Sequence, residues 1–101
     1  MARKIELEFY NKKYIIEYNR SAVLNVVSFE GGNNLETIVN LIKCGLVKNH
    51  ENDMPTDDDI KGWILALGDD LMPFAEQLKE MVQEVISTFE NDRKNLKWRK
   101  A

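Results

Sequence analysis

The chain has 101 residues, 44% of them hydrophobic and 31% charged, with a formal net charge of −3. That length predicts one domain around one core, the apolar content excludes a disordered chain, and no apolar run approaches the ~20 residues of a membrane-spanning helix. One cysteine, Cys44, permits no intrachain disulfide, and an opening Met1-Ala2-Arg3-Lys4-Ile5-Glu6 unlike a signal peptide adds to the expectation of a reducing, cytoplasmic setting.

The first element is a strand. Ile5, Leu7 and Phe9 alternate with Glu6 and Glu8, which gives one apolar and one wet face. Asn11-Lys12-Lys13 reads as a turn, and Tyr14, Ile16 and Tyr18 alternate beyond it, so an antiparallel hairpin is expected. A lone hairpin is marginal in water and needs a surface to lie on. Asn19 or Ser21 can then cap a helix carrying Ala22, Val23, Val26, Val27 and Phe29, although the β-branched pair Val26-Val27 also allows a third strand. Gly31-Gly32 ends this element in either case, and Asn33 or Asn34 caps the next helix.

In that helix Leu35, Ile38, Val39, Ile42 and Leu46 share one face. Leu41, Cys44 and Val47 lie on another side. A helix apolar on two sides is either central in the core or partly given to a partner. An acidic loop is expected over His50 to Asp59. Thr56 is a suitable N-cap, with Asp57, Asp58 and Asp59 in the first turn, where the helix dipole favours them. Ile60, Trp63, Ile64 and Leu67 follow on one face until Gly68 stops the helix. Asp69 or Asp70 starts a last, long helix whose stripe comprises Leu71, Phe74, Ala75, Leu78, Met81, Val82, Val85, Ile86 and Phe89. Pro73 sits in its first turn, where a missing N–H costs little, and Leu96 would extend the stripe if the helix persists beyond Asn91. The expected fold is α+β and mainly α: an N-terminal β-hairpin packed on a bundle of about four helices. A single globular domain is expected over 1–92, with a basic, mobile tail over 93–101.

Catalytic patterns are hard to assemble from these residues. His50 and Cys44 are six positions apart on a helix, so they point about 120° apart and make a poor nucleophile–base pair. One His and one Cys are too few soft ligands for zinc. An EF-hand read from Asp57 puts Lys61 at position five and Gly68 at position twelve, where calcium needs oxygen ligands. Gly31-Gly32 is not a phosphate loop. The expectation is a chain without enzymatic activity, cofactor or metal.

Charge is unevenly spread. Five of the 14 cations, Arg93, Lys94, Lys97, Arg99 and Lys100, lie beyond Asp92 with no acid among them, which leaves nine cations against 17 acids in residues 1–92, a net of −8. An acidic body disfavours nucleic acid, whose binding depends on neutralising phosphates. A helix-turn-helix also needs a shorter and less acidic connection than the one after Asn49. The candidate protein-interaction residues are Leu41, Cys44 and Val47 on the central helix, and Leu96, Trp98 and Arg99 in the tail.

The order of parts resembles the short tail assembly chaperones of long-tailed bacteriophages and related prophages of Gram-positive bacteria. The resemblance is carried by the hairpin Lys4-Ile5-Glu6-Leu7-Glu8-Phe9 with Tyr14-Ile15-Ile16-Glu17-Tyr18, running straight into Asn19-Arg20-Ser21-Ala22-Val23. A helix ending Gly45-Leu46-Val47-Lys48-Asn49-His50, then Met54-Pro55-Thr56-Asp57-Asp58-Asp59-Ile60 and a long terminal helix, complete it. It implies a mainly helical, non-enzymatic chaperone of the host cytoplasm that binds the tape measure protein and tail tube subunits and self-associates, in some cases with a longer frameshifted form. The alternative is a small phage or prophage protein of another kind, a virion completion component or a DNA-binding regulator.

Overall fold

The computed structural model of the chain describes residues 3–26 and 35–100. Two strands, β1 (Lys4–Phe9) and β2 (Lys12–Glu17), precede five helices: α1 (Arg20–Val26), α2 (Leu35–His50), α3 (Asp57–Leu67), α4 (Leu71–Ser87) and α5 (Glu90–Asn95). A 3₁₀ turn over Gly68–Asp70 joins α3 to α4. The architecture is α+β and mainly helical, with the N-terminal hairpin laid on the helices, as the patterning predicts.

The strands pair antiparallel, Ile5 opposite Ile16 and Leu7 opposite Tyr14, so the apolar residues of both fall on one face. The last pair is Phe9 with Lys12, which leaves Tyr10 and Asn11 as a two-residue loop rather than the expected turn at Asn11-Lys12-Lys13. Both take positive φ, 48° and 65°, the twist that a tight hairpin needs. Asn tolerates that region; Tyr10 does not prefer it, but its exposed ring rests edge-on against Phe9 at 4.5 Å.

Over Arg20–Val26 the segment after the hairpin is helical, not a third strand. Asn19 Oδ1 accepts from the Ala22 N–H at 2.7 Å, so Asn19 and not Ser21 is the cap. The expected helix residues Val27 and Phe29, the stop at Gly31-Gly32 and the Asn33 or Asn34 cap lie outside the described residues. Thr56 caps α3 in a reciprocal box: its side chain accepts from the Asp59 N–H, and the Asp59 carboxylate accepts from the Thr56 N–H. Gly68, at φ 54°, closes α3 in the left-handed region, as expected of a helix stop.

Helix α2 is the centre of the molecule and packs on β2, α1, α3 and α4. Its Ile42 and Leu46 are fully buried together with Ile16, Ile60 and Leu78. Leu41, expected to be a candidate interaction residue, is only 8% exposed and belongs to this core. With neighbours on several sides, α2 buries a wide arc, and that arc reaches Leu41. The helix also runs through His50, so the loop begins one residue later than expected. Trp63 of α3 packs against Tyr14 at 4.8 Å and Phe9 at 6.0 Å between ring centroids, which fastens the hairpin to the second half of the chain.

Of the α4 stripe, Ala75, Leu78, Met81 and Val82 are buried and Leu71, Phe74, Val85 and Ile86 are partly buried against the core. Beyond Ser87, the short helix α5 runs through residue 92 and has Arg93 and Lys94 in its last turn. Leu96 does not continue the stripe. It is 76% exposed, in extended backbone just after α5. No helix among the described residues is long and apolar enough to cross a membrane.

Candidate functional site

A groove of ≈ 710 Å³ lies where the end of β2, α1 and the C-terminal half of α4 meet, lined by Tyr18, Met81 and Val85 and rimmed by Arg3, Arg20 and Lys48. Its cations are already engaged. Arg3 pairs with Glu84 at 2.8 Å and Glu80 at 3.5 Å, tying the start of the hairpin to α4. Arg20 pairs with Asp92 and lies 4.0 Å from the centroid of the Phe89 ring, holding α5 to α1. Lys48 donates to Glu17 Oε2 at 2.7 Å, and Asn49 donates to Oε1 at 3.3 Å. The first two pairs are largely solvated and contribute little.

Glu17 differs because its side chain is 5% exposed. The Lys48 hydrogen bond is the main reason its carboxyl is held below the ordinary range, against the opposing effect of burial. A carboxylate with a depressed folded pKa contributes stability above its unfolded pKa and loses it as pH falls through the folded value. Lys48→Met keeps the stem but leaves the buried carboxylate with Asn49 alone. We expect it to destabilise the chain by roughly 1.5–3 kcal/mol at neutral pH, with the difference from the parent shrinking as Glu17 protonates in acid. Urea titrations of both chains at neutral pH and near pH 3 measure this. A difference that is unchanged by acid would assign the loss to packing of the Lys48 stem.

The structure gives His50 a defined structural role. The Ile15 N–H donates to its Nε2 at 2.9 Å, so Nε2 carries the lone pair. The proton therefore sits on Nδ1, which donates to Asp53 Oδ1 at 3.1 Å. That bond, with Lys12 next, holds the Asp53 carboxyl below its usual range. His50 thereby joins β2 to the α2–α3 loop, from the last position of α2 rather than from the loop in which the sequence reading puts it. Cys44 is half buried, and burial pushes its thiol up, away from the thiolate form. Tyr18 is buried with its hydroxyl donating to the Leu41 carbonyl at 2.7 Å, and burial raises its pKa strongly. No group of three or more His, Cys, Asp and Glu residues suited to a metal occurs among the described residues.

The six expected interaction residues divide into two sets. On α2, Leu41 is core, Cys44 is half buried against it, and Val47 is 45% exposed, so the three form no continuous open stripe. In the tail, Leu96 and Trp98 are 76% and 87% exposed and Arg99 is exposed. Further exposed apolar side chains, not anticipated from the sequence, occur on either side of the 3₁₀ turn between α3 and α4. Leu65 is 79% and Met72 55% exposed there, with Ala66 and Pro73 also open. The signal was present in the spacing: Leu65 falls off the Ile60–Trp63–Ile64–Leu67 face, and Met72 off the Leu71–Phe74–Ala75–Leu78 stripe.

Comparison with protein-family models, with curated proteins and with solved structures finds no match to this chain.

Proposed function

We propose that this chain works by binding other proteins, as a tail assembly chaperone of a long-tailed phage that holds the tape measure protein and tail tube subunits before the tail polymerises. The observation that supports the reading is apolar surface outside the single core. Leu65 and Met72 at one corner and Leu96 and Trp98 in the tail are each more than half exposed, on a chain whose first 92 residues are net acidic. Exposed apolar side chains on a charged surface suit capture of amphipathic helices, while the acidic remainder favours solubility. The resemblance in the order of hairpin, capped helices and long terminal helix supplies the identity of the client.

Co-expression tests the proposal. The tape measure protein is expected to be insoluble alone, and soluble and co-purifying with this chain. Salt should weaken the complex modestly, because apolar burial is little screened. A tape measure protein that stays insoluble, this chain recovered as a component of purified virions, or duplex DNA binding with a steep salt dependence would each replace the chaperone reading.

A further inference from the structure

We infer that the tail of one copy docks on the α3–α4 corner of a second copy, joining chains head to tail. The inference stands on the placement of two complementary surfaces and does not depend on the chaperone reading.

The first surface is the tail. Leu96 and Trp98 are exposed apolar side chains in a segment whose charges are all positive, and Lys97, Arg99 and Lys100 hold no ion pair among the described residues. The second surface is the corner. Exposed Leu65 and Met72 flank a stretch in which no cation occurs between Lys61 and Lys79, while Asp69, Asp70 and Glu76 do. Met72 and Glu76 are four residues apart on α4 and share a side of its first turns, Asp69 and Asp70 lie in the 3₁₀ turn just before it, and all four are exposed. Asp69, Asp70 and Glu76 hold no ion pair among the described residues, so their charge is open to a partner. Each surface thus has apolar side chains in need of cover and unpaired charge, and the signs are opposite.

Geometry selects a second copy over the chain's own corner. The corner is at the N-terminal end of α4 and the tail follows its C-terminal end, with the 17 residues of α4 between them, about 25 Å of helix. Helix α5 begins three residues after α4 ends, and Arg20, which pairs with Asp92, lines the groove with Ser87 and Thr88, so α5 lies near the far end of α4. From Asn95 the chain reaches Trp98 in three residues, at most about 10 Å when fully extended. Trp98 therefore falls well short of its own corner. The contact is heterologous and leaves one tail and one corner free in every pair, so it builds open chains or closes into a ring. One Trp, one Leu and a few cations bury less than the ~1,200 Å² of a standard interface, which makes the association weak, concentration dependent and sensitive to salt.

Sedimentation velocity over a concentration series tests this with the full chain and two variants. One variant ends at Asn95 and lacks the tail; the other carries Leu65→Gln and Met72→Gln and lacks the apolar seat. All altered residues are exposed, so circular dichroism and melting temperature should match the parent. The parent is expected to grow in mass with concentration and to dissociate as salt rises. Each variant alone should stay monomeric. Mixed, the two should form a one-to-one complex, because the first keeps the corner and the second keeps the tail. Three results would overturn the inference: a parent that is monomeric throughout, a tail-less chain that associates as the parent does, or variants that do not pair when mixed.

Discussion

Gly45→Ala is expected to destabilise the chain, although the same change in most helices does the opposite. Glycine in a helix interior is about 1 kcal/mol less favourable than alanine, and Gly45 lies well inside α2. Here a Cβ would sit 2.5 Å from Ile16 Cγ2 and 2.9 Å from Tyr18 Cζ. Neither neighbour can yield cheaply. Ile16 is fully buried and its branched methyl is stiff about χ1. The Tyr18 ring is pinned by its hydroxyl on the Leu41 carbonyl. Relieving the clash means pushing β2 off α2, which opens the seam between the hairpin and the central helix. We expect the overpacking cost to exceed the propensity gain, for a net loss of roughly 1–3 kcal/mol, or a melting temperature lower by about 4–8 °C per kcal/mol. Thermal denaturation checks it. Gly62 provides the control: it lies in α3, and a Cβ there meets nothing within 4 Å. A Gly45→Ala chain that melts at or above the parent would show that the seam between β2 and α2 is looser than described.

That close approach marks the limit of what periodicity could reveal. The alternation of Ile5, Leu7 and Phe9 and of Tyr14, Ile16 and Tyr18, the Thr56 cap and the α4 stripe are local patterns, and each corresponds to the element found. Local patterns say which face of an element is apolar but not what lies across from it. Gly45 looks like a weak point in a helix until the strand beneath it is known. Glu17 reads as a wet position beside Ile16, and only the far end of α2, 31 residues on, brings Lys48 over it. His50 reads as a loop residue because its partner, the Ile15 N–H, is a backbone group 35 positions away that no side-chain pattern reports. The candidate surfaces divide in the same way. The tail was legible because its composition is one-sided. The α3–α4 corner is harder to read, because Leu65 and Met72 fall off the apolar faces of their helices and periodicity does not say whether an off-face side chain is covered by a neighbouring element.

Leu41 decides between the two readings of α2, and its truncation is expected to have the largest effect of any single change considered. The side chain is 8% exposed and belongs to the core with Ile38, Ile42 and Leu46. Leu41→Ala removes buried methyl groups and leaves a cavity among neighbours that are themselves buried, a cost of roughly 2–5 kcal/mol. The hydrogen bond from Tyr18 is made to the Leu41 carbonyl, so it survives the substitution and does not confuse the measurement. For a domain at the lower end of the ordinary stability range of about 5–15 kcal/mol, the upper half of that loss would leave a substantial unfolded fraction. Urea denaturation should show a lower midpoint at unchanged slope, the mark of a less stable native state rather than an altered unfolded one. Val47→Ala, at a residue 45% exposed on the same helix, should move the midpoint within about 0.5 kcal/mol. Were Leu41 instead a docking residue, Leu41→Ala would leave the urea midpoint alone and weaken association in sedimentation. That pattern would place the open face of the central helix, not the corner and the tail, at the contact between copies.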